Sequence, residues 1–327
     1  MQSKINKLLK YANKYQATDI HFVYRNHELQ TTVRGINGIN EINDHDIDMQ
    51  LFNYLKYISN LDLGNATLPQ SGNFKYLYKN QQLYFRFAFI RTFDTESAVL
   101  RILNNHKKLL IEDLSRDKKQ NEIFKRWTRF RSGLILISGP TGSGKSTTLN
   151  AILEKIADDK RLKVVSLEDP IEIQSNNYLQ FQINEKMNFT YQEGIKQLLR
   201  HDPDVIMIGE IRDEQSAKML IRAALSGHMI FTTIHAKSCV EAISRLEEFG
   251  ICHNDLNEVI TGVTNQRIFA TKDKKSRICV YEIMERGEII DYFNQKIDKH
   301  QDIFTKIYDC YKKGWISKEQ AEYDINI

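Results

Sequence analysis

The sequence has few cysteines, and none of them forms a Cys-x-x-Cys pair. Zinc ribbons and disulfide frameworks both need closely or regularly spaced cysteines, so this sequence predicts neither a structural zinc site nor disulfide bonds. Reduced thiols in a cytoplasmic protein are the expectation instead. The four cysteines are Cys239, Cys252, Cys279 and Cys310.

Long apolar runs are also missing. No run reaches the roughly 18 residues that a transmembrane helix requires, and the N-terminus has no apolar signal-peptide core. We therefore expect a soluble protein that is not exported by that route. The formal net charge is only +4, which by itself does not indicate nucleic-acid binding. Neither an internal repeat nor a low-complexity segment is present.

The 327 residues suffice for two domains with separate cores. Residues 1–112 mix helical periodicity, at 5–12 and 49–58, with alternating strands, which predicts a small α+β domain. Residues 113–131 are rich in lysine and arginine and predict a basic linker with a solvated helix. Residues 132–327 alternate apolar strands with helices and end in a polar helical segment, which predicts an α/β domain with a mostly parallel sheet. The predicted strands are 20–24, 29–33, 83–89 and 98–103, then 134–137, 164–167, 205–208 and 229–232.

The most informative motif is a complete phosphate-binding loop of the pattern GxxxxGK[ST]. An apolar strand leads into it and a helix follows, which is the setting that the motif requires. Its glycines let backbone N–H groups surround phosphate oxygens, its lysine can reach the β- and γ-phosphates, and its serine hydroxyl can bind Mg²⁺. An ordinary glycine-rich turn is the weaker alternative. The residues expected to bind ATP are those of the loop and the residue after it: Gly139, Pro140, Thr141, Gly142, Ser143, Gly144, Lys145, Ser146 and Thr147.

Three later strands end in groups suited to hydrolysis of a nucleoside triphosphate. Glu168 follows the strand at 164–167 and is a candidate to orient or deprotonate the attacking water. Glu210 follows the next apolar strand in a Walker-B-like position, where it would hold Mg²⁺ through water. His235 follows the strand at 229–232 and could hydrogen-bond a γ-phosphate or Glu210. A solvent-facing carboxylate and a purely structural histidine are the competing interpretations.

Three arginines of the first domain, Arg86, Arg91 and Arg101, lie in or beside apolar strands. An arginine in such a strand needs an anionic partner. A nucleotide phosphate would serve, and an arginine that reaches a γ-phosphate raises phosphoryl-transfer rates by about 10³–10⁵. A carboxylate of the same domain is an equally supported partner.

Together these segments resemble the secretion and type IV pilus ATPase family, the GspE/PilB/PilT-like traffic ATPases. Four sequence boxes occur in the order typical of that family. The resemblance covers roughly residues 17–285, since residues 17–22 resemble its Ser-Asp-Ile-His segment and residues 33–38 its arginine and Asp-Gly turn. The boxes are GPTGSGKSTTLN (139–150), VVSLEDPIE (164–172), LLRHDPDVIMIGEIRD (198–213) and GHMIFTTIHA (227–236).

The resemblance implies a RecA-like ATPase domain preceded by a PAS-like N-terminal domain. It implies a homohexamer that hydrolyses ATP with Mg²⁺ and powers assembly or retraction of pilus-like filaments. Lys145 and Ser146 would bind phosphate and Mg²⁺, Glu168 would be the catalytic glutamate and Glu210 the Walker B acid. The remaining residues carried over are His228 and His235 of the histidine box and the nucleotide-approaching Arg86, Arg91 and Arg101.

Departures from the family pattern refine this expectation. The long extra N-terminal domain, the tetracysteine zinc motif and the retraction-ATPase motif are all missing, which makes the chain most similar to the ComGA-type competence ATPases of Gram-positive bacteria. We therefore expect a cytoplasmic motor, peripheral at the inner face of the cell membrane. It would act on an integral-membrane platform protein and, indirectly, on pseudopilins, without touching DNA. A retraction ATPase, a nucleic-acid-stimulated RecA-like motor and a nucleotide-gated scaffold remain alternatives.

Overall fold

The computed structural model describes residues 1–35, 38–64, 68–103, 109–274, 276–296 and 300–325. The chain divides into two compact units, residues 1–107 and 108–327. Ile36 and Asn37, which belong to the turn at 33–38 that resembles a family element, lie outside the described residues. No helix in the described ranges is both long and apolar enough to cross a bilayer.

The first unit is a six-stranded antiparallel sheet with two helices. Its strand order is β3-β2-β1-β6-β5-β4. Its elements are α1 (Gln2–Tyr15), β1 (Asp19–Arg25), β2 (Glu28–Gly35), β3 (Gly38–Glu41), α2 (Met49–Ile58), β4 (Gln70–Tyr78), β5 (Gln81–Arg91) and β6 (Thr95–Ile102).

Alternation along the strands gives this sheet one apolar face. In β5 the side chains of Phe85, Phe87 and Phe89 are buried, while the residues between them are half-buried. Because successive side chains point to opposite faces, the three phenylalanines share the face on which α1 and α2 place Leu8 and Phe52. The opposite face carries the polar members of each strand.

The second unit is built on a seven-stranded sheet of order β13-β12-β7-β11-β10-β8-β9. Every neighbouring pair is parallel except β12 and β13. Its strands are β7 (Gly133–Ser138), β8 (Val164–Glu168), β9 (Leu179–Gln182), β10 (Val205–Ile208), β11 (Met229–Ile234), β12 (Ile260–Ala270) and β13 (Arg277–Glu285). Its helices are α3 (Ile111–Leu114), α4 (Lys118–Trp127), α5 (Lys145–Ala157), α6 (Tyr191–Leu199), α7 (Glu214–Leu225), α8 (Cys239–Glu248), α9 (His253–Val259), α10 (Arg286–Phe293), α11 (Ile303–Lys312) and α12 (Lys318–Ile325), with one 3₁₀ turn at Glu185–Met187.

Helices cover both faces of the second sheet, so its central strands β7, β11 and β10 are buried at every position. In β7, Leu134 and Leu136 belong to the core shared with α6 to α10, whereas Ile135 and Ile137 belong to the core shared with α3, α4 and α5. Continuous burial of this kind is typical of parallel strands between two helical layers. The predicted fold class, an α/β domain with a mostly parallel sheet after a small α+β unit, is confirmed.

Residues 113–131 differ from the basic linker that their charge predicted. Helix α4 buries Phe124 and Trp127 completely, and both belong to the same core as α5. Trp127 packs so closely on β12 that a Cβ added at Gly262 would lie 2.7 Å from its ring. The lysines and arginines of this segment form the outer face of a packed helix. The prediction from charge therefore described the side of the helix that faces water and missed its buried side.

Candidate functional site

The phosphate-binding loop lies between the end of β7 and the start of α5. Gly139, Gly142 and Gly144 have φ angles of +143°, +80° and +87°. Residues that carry a Cβ rarely adopt such positive φ angles. A Cβ at Gly139 would also lie 2.6 Å from the backbone oxygen of Gln266. The loop therefore requires glycine for both its backbone conformation and its close approach to β12.

Strand β12 supports the loop with two fully buried amides. Gln266 Nε2 donates to the backbone oxygen of Ser143 at 2.6 Å. Asn265 Nδ2 donates to Ser138 Oγ at 2.8 Å and to the backbone oxygen of Ala236 at 2.9 Å. Gln266 thus holds the second half of the loop on β12, and Asn265 connects the end of β7, where the loop begins, to the segment that follows β11. No motif in the sequence pointed to either residue.

Lys145 is held at the mouth of the loop. Its Nζ donates to the backbone oxygens of Gly139 at 2.9 Å and Pro140 at 3.1 Å. Burial lowers the pKa of Lys145, and the carboxylates of Glu210 and Glu172 oppose that shift. Ser146 and Thr147 follow in the first turn of α5, where free backbone N–H groups and the helix dipole favour an anion.

Glu168 is the last residue of β8 and is 7% exposed. Its Oε1 accepts hydrogen bonds from Ser166 Oγ at 2.7 Å and from Gln180 Nε2 at 3.0 Å. Burial raises the pKa of Glu168, while these two hydrogen bonds act against the rise. The carboxylate is thus oriented by its neighbours and is a stronger proton acceptor than an exposed glutamate.

Glu210 follows β10 and forms the centre of a charged cluster. Arg212 Nε donates to Glu210 Oε1, and Arg212 also lies 3.3 Å from Asp169 Oδ2. His235 Nε2 lies 3.5 Å from Glu210 Oε2. Burial and the charge of Lys145 lower the pKa of His235, and Glu210 opposes them.

These groups meet because β7, β11, β10 and β8 are parallel neighbours in register. Their carboxyl ends form one edge of the sheet, here called the carboxyl edge. Glu168 is the last residue of one of these strands, Lys145, Glu210 and His235 follow the other three, and all four residues lie at that edge. In open parallel sheets this is where ligands bind.

His228 does not join this group. It precedes β11, and its backbone oxygen accepts a hydrogen bond from Gly133 at the start of β7. Its Nδ1 lies 3.1 Å from both the backbone oxygen of Ala223 and Ser226 Oγ. The six residues of β11 separate it from the carboxyl edge, a span of roughly 20 Å. The two histidines of the box therefore lie at opposite ends of one strand.

The three arginines of the first unit have different surroundings. Arg91 Nε lies 3.5 Å from Glu96 Oε1, and Arg101 Nε donates to Asp19 Oδ1 at 2.7 Å. For Arg91 and Arg101 the anionic partner is therefore a carboxylate of the same unit. Arg86 pairs with Arg101 in the strand register, on the polar face of the sheet. Within the described part of the chain, the Arg86 guanidinium has no hydrogen-bond or ion-pair partner.

Comparisons with known proteins agree with this arrangement. Residues 1–310 match the protein family described as Type II/IV secretion system protein. The competence protein ComGA of Bacillus subtilis is 33% identical over 268 residues, which cover 81% of this chain and 75% of that protein. ComGA of Streptococcus pneumoniae is 30% identical over 333 residues, which cover 98% of this chain and 97% of that protein.

A solved structure extends the likeness to the whole fold. The crystal structure of the pilus retraction motor PilT with bound ADP superposes with a TM-score of 0.76 at 25% identity. The match covers 98% of this chain and 96% of that chain. The chain belongs to the Type II/IV secretion system protein family and is an ATPase of that family.

Proposed function

We propose that this chain is the ATP-hydrolysing motor that assembles a competence pseudopilus for DNA uptake. One observation carries the proposal. The phosphate-binding loop shares the carboxyl edge with a buried, oriented carboxylate, Glu168, and with the Glu210–His235 pair. The loop alone is enough to bind a nucleoside triphosphate. Hydrolysis also needs groups that position the attacking water and groups that stabilise the negative charge developing on the γ-phosphate.

The residues at this edge fit an Mg²⁺ ion that accompanies ATP. Mg²⁺ prefers oxygen ligands and keeps most of its water. Ser146 offers a hydroxyl and Glu210 a carboxylate, so Ser146 would hold the ion directly and Glu210 through water. The bound ion would neutralise charge on the phosphates. Over the described residues, no group of three His, Cys, Asp or Glu side chains forms a cage for a metal ion.

Glu168 is the residue that we assign to the attacking water. A general base acts best when its pKa approaches the working pH, and burial raises the pKa of Glu168 in that direction. Lys145 would bind the β- and γ-phosphates, with the backbone N–H groups from Thr141 to Thr147 around them. Among the first unit's arginines, Arg86 is the candidate for a positive charge on the γ-phosphate, because it has no partner among the described residues.

The mechanical role rests on the relatives named above. Two of them are competence proteins that this chain matches over most of its length. We propose a homohexamer, peripheral at the inner face of the membrane, that moves an integral-membrane platform protein and thereby adds pseudopilins to a filament. Retraction, the activity in the name of PilT, is the second candidate.

A deletion strain tests the proposal when it is complemented with the wild-type gene, with Glu168→Gln or with Glu248→Gln. Glu248 is an exposed residue at the end of α8 and serves as the matched control. We expect transformation and pseudopili to be lost in the deletion and with Glu168→Gln, and restored with Glu248→Gln. Excess pseudopili in the deletion would indicate retraction, and normal transformation would refute the competence role.

Turnover of the purified protein separates the remaining alternatives. We expect Glu168→Gln to lower kcat by about 10²–10⁴-fold, the usual contribution of a general base, with ATP binding retained. Complementation by a Glu168→Gln variant without turnover would indicate a nucleotide-gated scaffold. DNA-stimulated turnover with steep salt dependence would indicate a nucleic-acid motor.

A further inference from the structure

The first residue of α6, Tyr191, reaches the carboxyl edge from outside the four sequence boxes. Thr190 caps this helix, since its Oγ1 accepts a hydrogen bond from the backbone N–H of Glu193 at 3.3 Å. The half-buried ring of Tyr191 packs against the core shared with α6 to α10. A Cβ added at Gly209 would lie 3.1 Å from Tyr191 Oη and 3.4 Å from Glu168 Cα. The tip of the tyrosine therefore lies in the gap between the ends of β8 and β10.

The guanidinium of Arg212 lies over the ring of Tyr191, 5.9 Å from the ring centroid. The same guanidinium holds carboxylates that follow two neighbouring strands. Its Nε donates to Glu210 Oε1, after β10, and its Nη1 lies 3.3 Å from Asp169 Oδ2, after β8. Arg212 thus connects the ends of these two strands, and Tyr191 supplies a third contact.

Ion pairs alone would hold Arg212 only loosely. Its side chain is 53% exposed, and exposed ion pairs contribute little because water screens the charges and a long side chain loses freedom. A planar guanidinium is also attracted to the face of an aromatic ring, and this attraction persists at exposed sites. The ring of Tyr191 therefore restricts Arg212 to the geometry in which it meets both carboxylates.

The position of Arg212 in turn decides the orientation of Glu210. Arg212 binds one oxygen of this carboxylate, and His235 Nε2 lies 3.5 Å from the other. The carboxylate is therefore held from two sides. Groups that are fixed before a reaction begins need no rearrangement during it, which lowers the barrier.

We propose that Tyr191 is a positioning residue for ATP hydrolysis, because its ring holds Arg212 against Glu210 and thereby orients that carboxylate. The assignment rests on the role proposed above for Glu210. The ring acts here and not the hydroxyl, since Tyr191 Oη makes no hydrogen bond within the described part of the chain. The assignment also gives Gly209 a purpose, because a side chain at this position would press on the tip of the tyrosine.

Steady-state ATP turnover of tyrosine variants tests the assignment. We expect Tyr191→Leu to lower kcat by about fivefold and to leave the KM for ATP within about twofold, because the phosphate-binding loop is untouched. Tyr191→Phe keeps the ring and should keep kcat within about twofold of wild type. The matched control is Tyr308→Leu, since Tyr308 is 47% exposed on α11.

A double-mutant cycle shows whether Tyr191 acts through Arg212. We expect Arg212→Ala to lower kcat by at least about fivefold, and Tyr191→Leu to cause no further loss in that background. Losses that multiply in the double variant overturn the assignment, because the tyrosine would then act independently of Arg212.

Gly209 provides a rescue experiment that does not shorten the tyrosine. We expect Gly209→Ala to displace the ring and lower kcat by about threefold. Tyr191→Phe removes the atom that the new methyl group meets, so kcat should recover in the double variant. A loss that Tyr191→Phe does not repair contradicts the assignment, since the alanine would then act directly on Glu210. Unchanged kcat in Gly209→Ala also contradicts it, because turnover would not depend on the position of the ring.

The remaining outcomes are distinguishable. Unchanged kcat in Tyr191→Leu overturns the assignment and leaves the proposed ATPase intact, and so does a Tyr191→Phe variant as slow as Tyr191→Leu, which would point to the hydroxyl. Urea unfolding identifies a loss that reflects only a smaller folded fraction, which also overturns it. If Tyr191→Leu does not fold, Tyr191→Met takes its place as an unbranched apolar substitute. A wild-type protein that hydrolyses no ATP refutes the proposed function itself.

Discussion

His235 Nε2 lies 3.5 Å from Glu210 Oε2 at the carboxyl edge of the second sheet. Since burial and the charge of Lys145 lower the pKa of His235, the imidazole is neutral near pH 7 and acts as a hydrogen-bonding group beside the carboxylate. The histidine thus orients Glu210 without neutralising it.

This relationship predicts the ranking of two substitutions at His235. We expect His235→Gln, which keeps a neutral donor, to retain kcat within about threefold of wild type. His235→Ala leaves Glu210 without that donor and should lower kcat by about tenfold, equivalent to about 1.4 kcal/mol. Steady-state ATP turnover of the purified variants measures both. Equal losses in the two variants would show that the hydrogen-bonding capacity of His235 is irrelevant.

The hydrogen bond from Gln180 to Glu168 predicts a shift in the pH–rate profile. Bonds to an ionised carboxylate lower its pKa, so removing one raises the pKa further. Because Glu168 must be ionised to accept a proton, we expect Gln180→Ala to move the acidic limb of kcat to higher pH. The control is Gln182→Ala, because Gln182, the last residue of β9, pairs with Glu168 in the strand register but has an exposed side chain that gives the Glu168 carboxylate no hydrogen bond. An acidic limb that stays in place, or moves to lower pH, would contradict the assigned role of Glu168.

The surroundings of the arginines predict different phenotypes for similar substitutions. Arg86→Ala should lower turnover by up to about 10³-fold without loss of stability, if Arg86 supplies charge to the γ-phosphate. Arg101→Ala should instead destabilise the first unit by about 1–3 kcal/mol, because it removes a partner of the mostly buried Asp19 carboxylate. Turnover and urea unfolding of both variants check this. A destabilised Arg86→Ala with normal turnover per folded molecule would reverse the assignment.

His300 predicts a pH-dependent contribution to stability. Its side chain is 8% exposed and lies 2.9 Å from Glu282 Oε1 and 3.1 Å from Glu288 Oε1. Burial lowers its pKa, but the two carboxylates outweigh burial and raise it from 6.5 to about 9. The folded state therefore binds this proton more tightly than the unfolded state, and the stabilisation is complete below pH 6.5.

Unfolding at several pH values measures that contribution. We expect the free energy of unfolding to fall between pH 6.5 and 9 more steeply in the wild type than in His300→Gln. The control is His253→Gln, because the side chain of His253 is 55% exposed beside Glu247. Identical pH slopes in wild type and His300→Gln would show that the cluster with Glu282 and Glu288 carries no such linkage.

Much of the fold could be predicted because most strands follow simple patterns. Strands β7, β8, β10 and β11 are short and mostly apolar runs, and in β5 buried residues alternate with half-buried ones from Leu83 to Phe89. Strand β12 was missed because its middle contains Thr264, Asn265 and Gln266, three polar residues that are completely buried. These residues break the apolar pattern since they hold the phosphate-binding loop. Local patterns fail most often where a functional site overrides them.

Strand direction decided how well the site could be predicted. Glu168 ends a parallel strand and Glu210 and His235 follow two others, so the order of residues along the chain is enough to place all three at one edge. His228 precedes its strand, which places it at the other edge, and the family resemblance did not convey this. The partner of Arg91, Glu96, lies across the β5–β6 hairpin, and the partner of Arg101, Asp19, lies on the neighbouring strand β1. Only the pairing register of these strands shows that the side chains are close.

The two amides of β12 limit how far the chain can be shortened. The four sequence boxes end at residue 236, yet Asn265 and Gln266 hold the loop, and Tyr281 Oη lies 2.9 Å from Thr148 Oγ1 beneath the first turn of α5. A fragment that contains every box but stops before β12 would keep all the residues of the four motifs. It would lose the side chains of β12 and β13 that hold the phosphate-binding loop and the first turn of α5 in place. The smallest working enzyme must therefore extend at least through β13.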